Sequence, residues 1–314
     1  MPFMADQPNL GVDLGRGLRL GSPVMVASGT FGYGFDAPLV DRSALGAIVT
    51  KGTTPRAREG NAPTRIAETP SGMLNAIGLQ NPGVEQVARE YAPLWASWVV
   101  PVIVNVAGDA IEDYVGVARR LDGVAGVAGL ELNISCPNVA NGLQFGVDPH
   151  LAAELTAAVR GATRLPLIVK LTPNVTDIVA VGRAVQEAGA DAVSAINTYV
   201  GMAIDLRRRR PILSRGSGGV SGPAIKPLAL HAVWQLAGEL SIPVIGIGGI
   251  TSVSDALEFL LAGAVAVQLG TVNYFRPEAV RQVHDGIATY LDEHGFNDLH
   301  ALPIRGNRVV MAHA

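Results

Sequence analysis

Six consecutive residues, Asn133-Ile134-Ser135-Cys136-Pro137-Asn138, set the only cysteine of the chain among side-chain amides and a hydroxyl. A lone cysteine is most often a small buried apolar residue. The polar neighbours and the proline that follows favour a loop thiol instead, able to act as nucleophile or general base. A nucleophilic cysteine normally has a histidine activator. The six histidines are His150, His231, His284, His294, His300 and His313, and none ends a strand pattern. Cys–His catalysis is therefore disfavoured. A metal centre is disfavoured too, because no His or carboxylate pair has ligand spacing.

The 24 basic residues include only three lysines, Lys51, Lys170 and Lys226. Lys51 and Lys170 both sit at the ends of Val/Ile-rich runs, so both point to one rim of the sheet those runs build. A cation at Lys170 could stabilise negative charge developing on the N1–C2=O edge of a flavin. The plain alternative is a lysine snorkelling to solvent. Gly246-Ile247-Gly248-Gly249-Ile250 and Leu269-Gly270-Thr271 close two further runs. Glycines let backbone N–H groups approach an anion, so these turns suit a phosphate-bearing ligand. Tight turns with no ligand would use the same residues. Arg207-Arg208-Arg209-Arg210 reads as a solvated loop face.

Positioning such groups needs a scaffold, and the patterning supplies one. Continuous apolar runs fall at 24–27, 47–50, 102–106, 130–134, 167–171, 192–196, 244–247 and 264–269. Unbroken rather than alternating apolarity marks strands covered on both faces. Helical patterns lie between them, at 84–98, 110–121, 149–160, 177–187, 225–240, 253–261 and 278–293, with Asp109, Asp148 and Thr176 as candidate N-caps. Gly189 and Gly263 each follow a helix and lead into a strand, as C-cap glycines do. Alternating strands and helices imply parallel pairing. Eight units predict a single-domain α/β fold, a (β/α)8 TIM barrel over 1–314, with long βα loops after strands 2, 4 and 6. A doubly wound open sheet is the alternative. The segments 52–82 and 197–223 are too long for simple connections, and long βα loops in a barrel are usually functional.

Composition narrows the class further. With 314 residues, 48% hydrophobic and 16% charged, the chain is globular and needs no disulfide or metal staple. A net charge of −3 argues against a nucleic-acid partner. No apolar run reaches membrane-span length, and MPFMADQPNLGVDLG has no signal-peptide core, so a cytoplasmic location is expected. One cysteine forbids a four-cysteine iron–sulfur cluster within the chain. No strand–GxGxxG–helix unit for NAD is present either.

Several segments together resemble a known family. Ala27-Ser28-Gly29-Thr30-Phe31-Gly32, Asn75-Ala76-Ile77-Gly78-Leu79-Gln80-Asn81-Pro82-Gly83, the Asn133 to Asn138 segment and Ser221-Gly222-Pro223-Ala224-Ile225-Lys226-Pro227 look like the class 1 dihydroorotate dehydrogenases, over residues 10–275. Ile196-Asn197-Thr198, Gly201-Met202-Ala203-Ile204-Asp205 and the 221–227 stretch look like the catalytic subunit of the NAD-linked type 1B. The resemblance implies a (β/α)8 barrel with one non-covalent FMN, oxidising (S)-dihydroorotate to orotate in pyrimidine synthesis. It makes Cys136 the general base at substrate C5, with the C6 hydride passing to flavin N5. The 139–148 loop, freed by Gly142 and Gly146, would close over the thiol. Lys51, Asn75, Ala76, Ile77, Gly78, Leu79, Asn133, Asn197 and Thr198 would bind substrate. Ser28, Lys51, Gly52, Asn105, Asn133, Lys170, Ile196, Gly222, Gly248, Gly249, Gly270 and Thr271 would hold FMN. The type 1B likeness implies a homodimer flanked by two partner subunits carrying FAD and a [2Fe–2S] cluster, which reduce NAD+. The alternatives are a type 1A enzyme reducing fumarate and a dihydropyrimidine dehydrogenase-like flavoenzyme.

Overall fold

The structure, a computed structural model, describes residues 8–135 and 145–302. The chain opens on an antiparallel hairpin, β1 (Val12–Asp13) and β2 (Arg19–Leu20), then runs through β3 (Val24–Val26) and β4 (Ala47–Val49). A second hairpin follows, β5 (Ile66–Thr69) and β6 (Gly72–Asn75). Next come β7 (Val102–Val106), β8 (Val127–Asn133), β9 (Leu167–Leu171) and β10 (Ala192–Ala195). The excursion after β10 holds β11 (Tyr199–Gly201), β12 (Ile204–Asp205), β13 (Arg210–Pro211) and β14 (Gly218–Ser221), before β15 (Val244–Ile247) and β16 (Ala266–Leu269).

Eight of these strands close into a parallel barrel in the order β3-β4-β7-β8-β9-β10-β15-β16, with β16 pairing back onto β3. The expected barrel is the one observed, and the open sheet is not. The barrel strands are buried except at Ala128 and Asn133 of β8, because helices cover the outside and side chains fill the inside. The covering helices are α1 (Val84–Gln86), α2 (Ala92–Trp95), α3 (Ile111–Leu121), α4 (Pro149–Arg160), α5 (Ile178–Glu187), α6 (Lys226–Glu239), α7 (Val253–Leu261) and α8 (Ala279–Glu293). Gly189 and Gly263 have φ of +99° and +107°, so both end their helices in the left-handed conformation glycine favours. The β1–β2 hairpin lies across the N-terminal ends of the strands, where Arg16 and Arg160 both pair with Asp191, at 2.9 and 3.0 Å. No helix among the described residues is long and apolar enough to cross a membrane.

Local details depart from the pattern for physical reasons. The helix expected over 84–98 is broken by a π-helical turn at Val87–Tyr91 and stops at Trp95. Pro93, which has no N–H to donate, lies just beyond that turn. Asp148 caps α4 as expected, accepting from the His150 N–H at 2.8 Å. Asp109 and Thr176 do not cap. Ala110 starts α3, with the Asp113 carboxylate reaching back to the Asp109 N–H at 2.9 Å, and Asp177 caps α5. Strand β8 begins three residues early, at Val127, because its neighbour β7 extends the pairing past Ala128 and Gly129.

The two long βα connections carry strands of their own, which build one antiparallel sheet, in the order β11-β14-β6-β5, above the barrel mouth. In its central pair Asn75 faces Gly219 and Met73 faces Ser221. The strands cross closely at Gly72, where an added Cβ would lie 2.0 Å from the Ser221 carbonyl oxygen. Gly72→Ala is therefore expected to lower stability by about 1–3 kcal/mol, the usual cost of overpacking. A urea midpoint equal to that of the unchanged chain would show that the sheet is not held at this crossing.

Candidate active site

The C-terminal ends of the barrel strands and the inner face of the antiparallel sheet enclose one cavity of about 800 Å3. Each strand delivers its terminal residues to the cavity because parallel strands in a barrel all finish at one rim. Ser28 follows β3, Lys51 and Gly52 follow β4, and Asn105 lies within β7. Asn133 ends β8, Lys170 is next to last in β9, and Ile196, Asn197 and Thr198 follow β10. Gly222 follows β14, Gly248 and Gly249 follow β15, and Gly270 and Thr271 follow β16. Asn75, Ala76, Ile77, Gly78 and Leu79 enter from the end of β6. Every candidate side chain from the sequence thus lines the cavity except Cys136, which lies outside the described residues, as does most of the 139–148 loop. Ser135, immediately before it, also lines the cavity.

The glycine-rich side is built by close approach. Gly248, Gly249 and Gly222 have φ of +134°, +70° and +98°. A Cβ on Gly249 would lie 2.9 Å from the Gly222 carbonyl oxygen and 2.8 Å from the Lys226 Cβ. Only hydrogen fits there, and all three glycines line the cavity. The Thr271 hydroxyl donates to the Ser221 hydroxyl at 2.8 Å, joining the β16 end to β14. Lys226, the third lysine, is structural. Its ammonium donates to Asp255 at 2.7 Å and Glu258 at 3.0 Å, clamping α6 to α7. Burial pushes the Asp255 carboxyl up, but hydrogen bonds from Lys226, Thr251 and Ser252 prevail and hold it at about 2.

The opposite side is a web of amides. The Asn197 Nδ2 donates to Asn133 Oδ1 at 3.1 Å, and Asn197 Oδ1 accepts from the Thr198 N–H at 2.9 Å. Asn75 Nδ2 reaches the Gly219 carbonyl at 3.4 Å. Asn81, buried, fixes the 75–83 loop by donating to the Leu79 carbonyl and Thr54 hydroxyl, both at 2.7 Å. Side-chain amides can meet both donors and acceptors on a ring.

Sequence reading missed the group beneath these. Glu131 on β8 is fully buried inside the barrel. It accepts from Asn105 Nδ2 at 2.8 Å, from the Ser194 hydroxyl at 2.9 Å and from Gln268 Nε2 at 2.9 Å. The Lys170 ammonium lies 3.8 Å from it. The signal was present: a charge between Leu130 and Leu132 in an apolar run has no reason to be there unless it is paired. Arg58, Arg215 and Asn174 also line the cavity, and no motif marked them.

Two lysines share this space. Burial pushes the Lys51 ammonium below the ordinary lysine value of 10.5, and the charges of Lys170 and Arg65 push it the same way. A lysine depressed in the fold binds fewer protons there than in the unfolded chain, so it makes stability rise with pH in the window just below 10.5. Lys51→Met should remove that rise. The difference in unfolding free energy between the apoprotein and the variant should grow with pH across this window. A constant difference would mean that Lys51 is not depressed.

The model of the dihydroorotate dehydrogenase family matches residues 15–291. Among curated relatives, the "dihydroorotate dehydrogenase B (NAD(+)), catalytic subunit" of Geotalea uraniireducens is 53% identical over 298 residues, covering 94% of this chain and 97% of that protein. The protein of the same name from Desulforamulus reducens is 53% identical over 296 residues, with the same coverage. That from Pelobacter propionicus is 54% identical over 291 residues, covering 92% of this chain and 95% of its own. The barrel, the composition of its rim and these matches agree: the chain belongs to the dihydroorotate dehydrogenase family.

Proposed function

We propose that the chain is the catalytic subunit of an NAD+-linked dihydroorotate dehydrogenase, a single barrel domain that oxidises (S)-dihydroorotate to orotate in pyrimidine synthesis. The observation that carries the reading is the convergence of two lysines, Lys51 and Lys170, and four asparagines, Asn75, Asn105, Asn133 and Asn197, on one cavity. That set suits an anionic heterocycle with alternating carbonyl and N–H groups.

The residues present fit FMN. Asn105 and Ser135 line this cavity, and Asn105 Oδ1 and the Ser135 hydroxyl are buried with no hydrogen-bond partner among the described residues; buried polar atoms of this kind call for a bound group. The side-chain-free turn at Gly222, Gly248 and Gly249, with Gly270 and Thr271, would hold the phosphate through backbone N–H groups. Ser28, Gly52, Asn105, Asn133, Lys170 and Ile196 would hold the ring, with Lys51 serving both ligands. When bound, FMN accepts the hydride lost from substrate C6.

The remaining steps belong to the chain. Lys51, Asn75, Asn133, Asn197 and Thr198, with the backbone of Ala76, Ile77, Gly78 and Leu79, orient the substrate ring and its carboxylate. Cys136 takes the C5 proton on its sulfur. A free thiol titrates near ~8.5, so its surroundings must tune it to serve as a base at neutral pH. Lys170 supplies the positive charge that meets electron density arriving on the ring.

Electrons then leave the chain. With one cysteine it cannot itself hold a four-cysteine cluster. The name shared by the relatives, a catalytic subunit of an NAD(+) enzyme, supports a partner protein. The proposed assembly is a cytoplasmic homodimer of this chain flanked by two subunits carrying FAD and a [2Fe–2S] cluster.

Anaerobic addition of dihydroorotate to the purified yellow chain should bleach the flavin absorbance without any partner. A yellow protein bleached by dihydrouracil and not by dihydroorotate would move the substrate to another pyrimidine, and turnover with fumarate by the chain alone would move the acceptor. Cys136→Ala should still bind FMN and orotate but reduce its flavin slower by about 100-fold or more, the usual reach of a general base. Cys136→Ser should fall between the two. A full rate in Cys136→Ala would remove the base assignment.

A further inference from the structure

Glu131 has no part in the mechanism above, yet it ties its own strand to three others across the barrel interior. Its two oxygens bind side chains from three other strands, with Asn105 on β7, Ser194 on β10 and Gln268 on β16, and the Lys170 ammonium on β9 lies 3.8 Å away. A carboxylate only accepts hydrogen bonds. Asn105 must therefore turn its NH2 toward Glu131, at 2.8 Å, which leaves Oδ1 as the atom without a partner. Asn105 is 1% exposed and lines the cavity, while Lys170 is 5% exposed. Neither Glu131, Ser194 nor Gln268 lines it.

We infer that Glu131 is a positioning residue for the flavin: it fixes the orientation of the Asn105 amide in the cavity wall and offsets the charge of Lys170. The inference rests on the reading that FMN occupies this cavity. Without the carboxylate, the Asn105 amide is free to turn over, and its place in the cavity wall is no longer fixed. Without the carboxylate, Lys170 also brings an uncompensated positive charge to the site. Reduced flavin carries more negative charge than oxidised flavin, so the reduced form gains.

The side chain at 131 can be tested with its isostere. Glu131→Gln, prepared as the full chain, should bind oxidised FMN about tenfold more weakly, the effect of leaving one buried hydrogen-bonding group unmatched. Its two-electron midpoint potential should move positive, by about 30 mV for each tenfold gain of reduced over oxidised flavin. Glu131→Asp keeps the charge but cannot reach Asn105, so its potential should return toward that of the unchanged chain while FMN affinity stays low.

The other outcomes separate cleanly. Unchanged affinity and potential in Glu131→Gln would overturn the inference. Weaker FMN binding with an unchanged potential and a lowered melting temperature of the apoprotein would make Glu131 a structural residue only, and would also overturn it. If Glu131→Gln does not fold, Glu131→Asp decides: full FMN affinity in that variant would overturn the inference. An unchanged chain that binds no FMN would instead sink the reading on which the inference rests.

Discussion

The structure depends on β16 finding β3. A parallel sheet leaves bonding groups bare along both edges, and closure removes both edges at once. Closure also decides where chemistry can happen. Once eight parallel strands form a ring, their carboxyl ends share one rim, and residues far apart in sequence become neighbours there. The Asn273 amide donates to the Thr30 hydroxyl across 243 positions of sequence, at 3.2 Å. No linear motif places those two together; only the meeting of first and last strands does.

Closure also creates a dry interior that must be filled, and this barrel does not fill it with apolar groups alone. Glu131 sits there at full burial, with Lys170 at the edge. Removing one partner of such a buried pair typically costs about 3–5 kcal/mol, because the survivor is left charged and unpaired. An apolar pair of similar volume would often be as stable or more so. The polar choice is therefore not made for stability. What it provides is position: each strand that contributes to the network has its register tied to one carboxylate, and the side chains at the cavity floor have their orientations settled before any ligand arrives.

Much of this was legible in the sequence, and what was not has identifiable causes. All eight barrel strands stand out because a strand buried on both faces needs an unbroken apolar run, and three of them, at Val102–Val106, Leu167–Leu171 and Val244–Ile247, coincide with the runs end for end. The candidates at the barrel rim follow from the ends of the apolar runs, whereas Asn75 to Leu79 and Gly222 came from the family resemblance alone, because no apolar run points to them. The sheet above the mouth was invisible. Its strands span three or four residues, too short to show alternation, and its central pair joins segments 144 positions apart, as between Asn75 and Gly219. Glu131 was passed over because five apolar or small neighbours in the same strand outweigh one charge in any averaged pattern. The N-caps of α3 and α5 shifted by one residue because Asp109 is taken by Arg58 at 2.6 Å, and because Asp177 makes the cap that Thr176 could have made.

The antiparallel sheet changes how the two halves of the site relate. Asn75, on the proposed substrate side, and Gly222, on the proposed phosphate side, belong to excursions separated by four of the eight barrel strands. Yet β6 and β14 pair directly, from Asn75 opposite Gly219 to Met73 opposite Ser221, and Ser221 accepts from Thr271 at the end of β16. A backbone ladder therefore runs from one ligand site to the other. Ladder bonds are short and cooperative, so this span moves as a unit rather than as two independent loops. The spacing between Asn75 and the Ser221–Gly222 turn is then set by backbone pairing rather than by the rotamers of long side chains, so it stays fixed through substitution at the cavity surface.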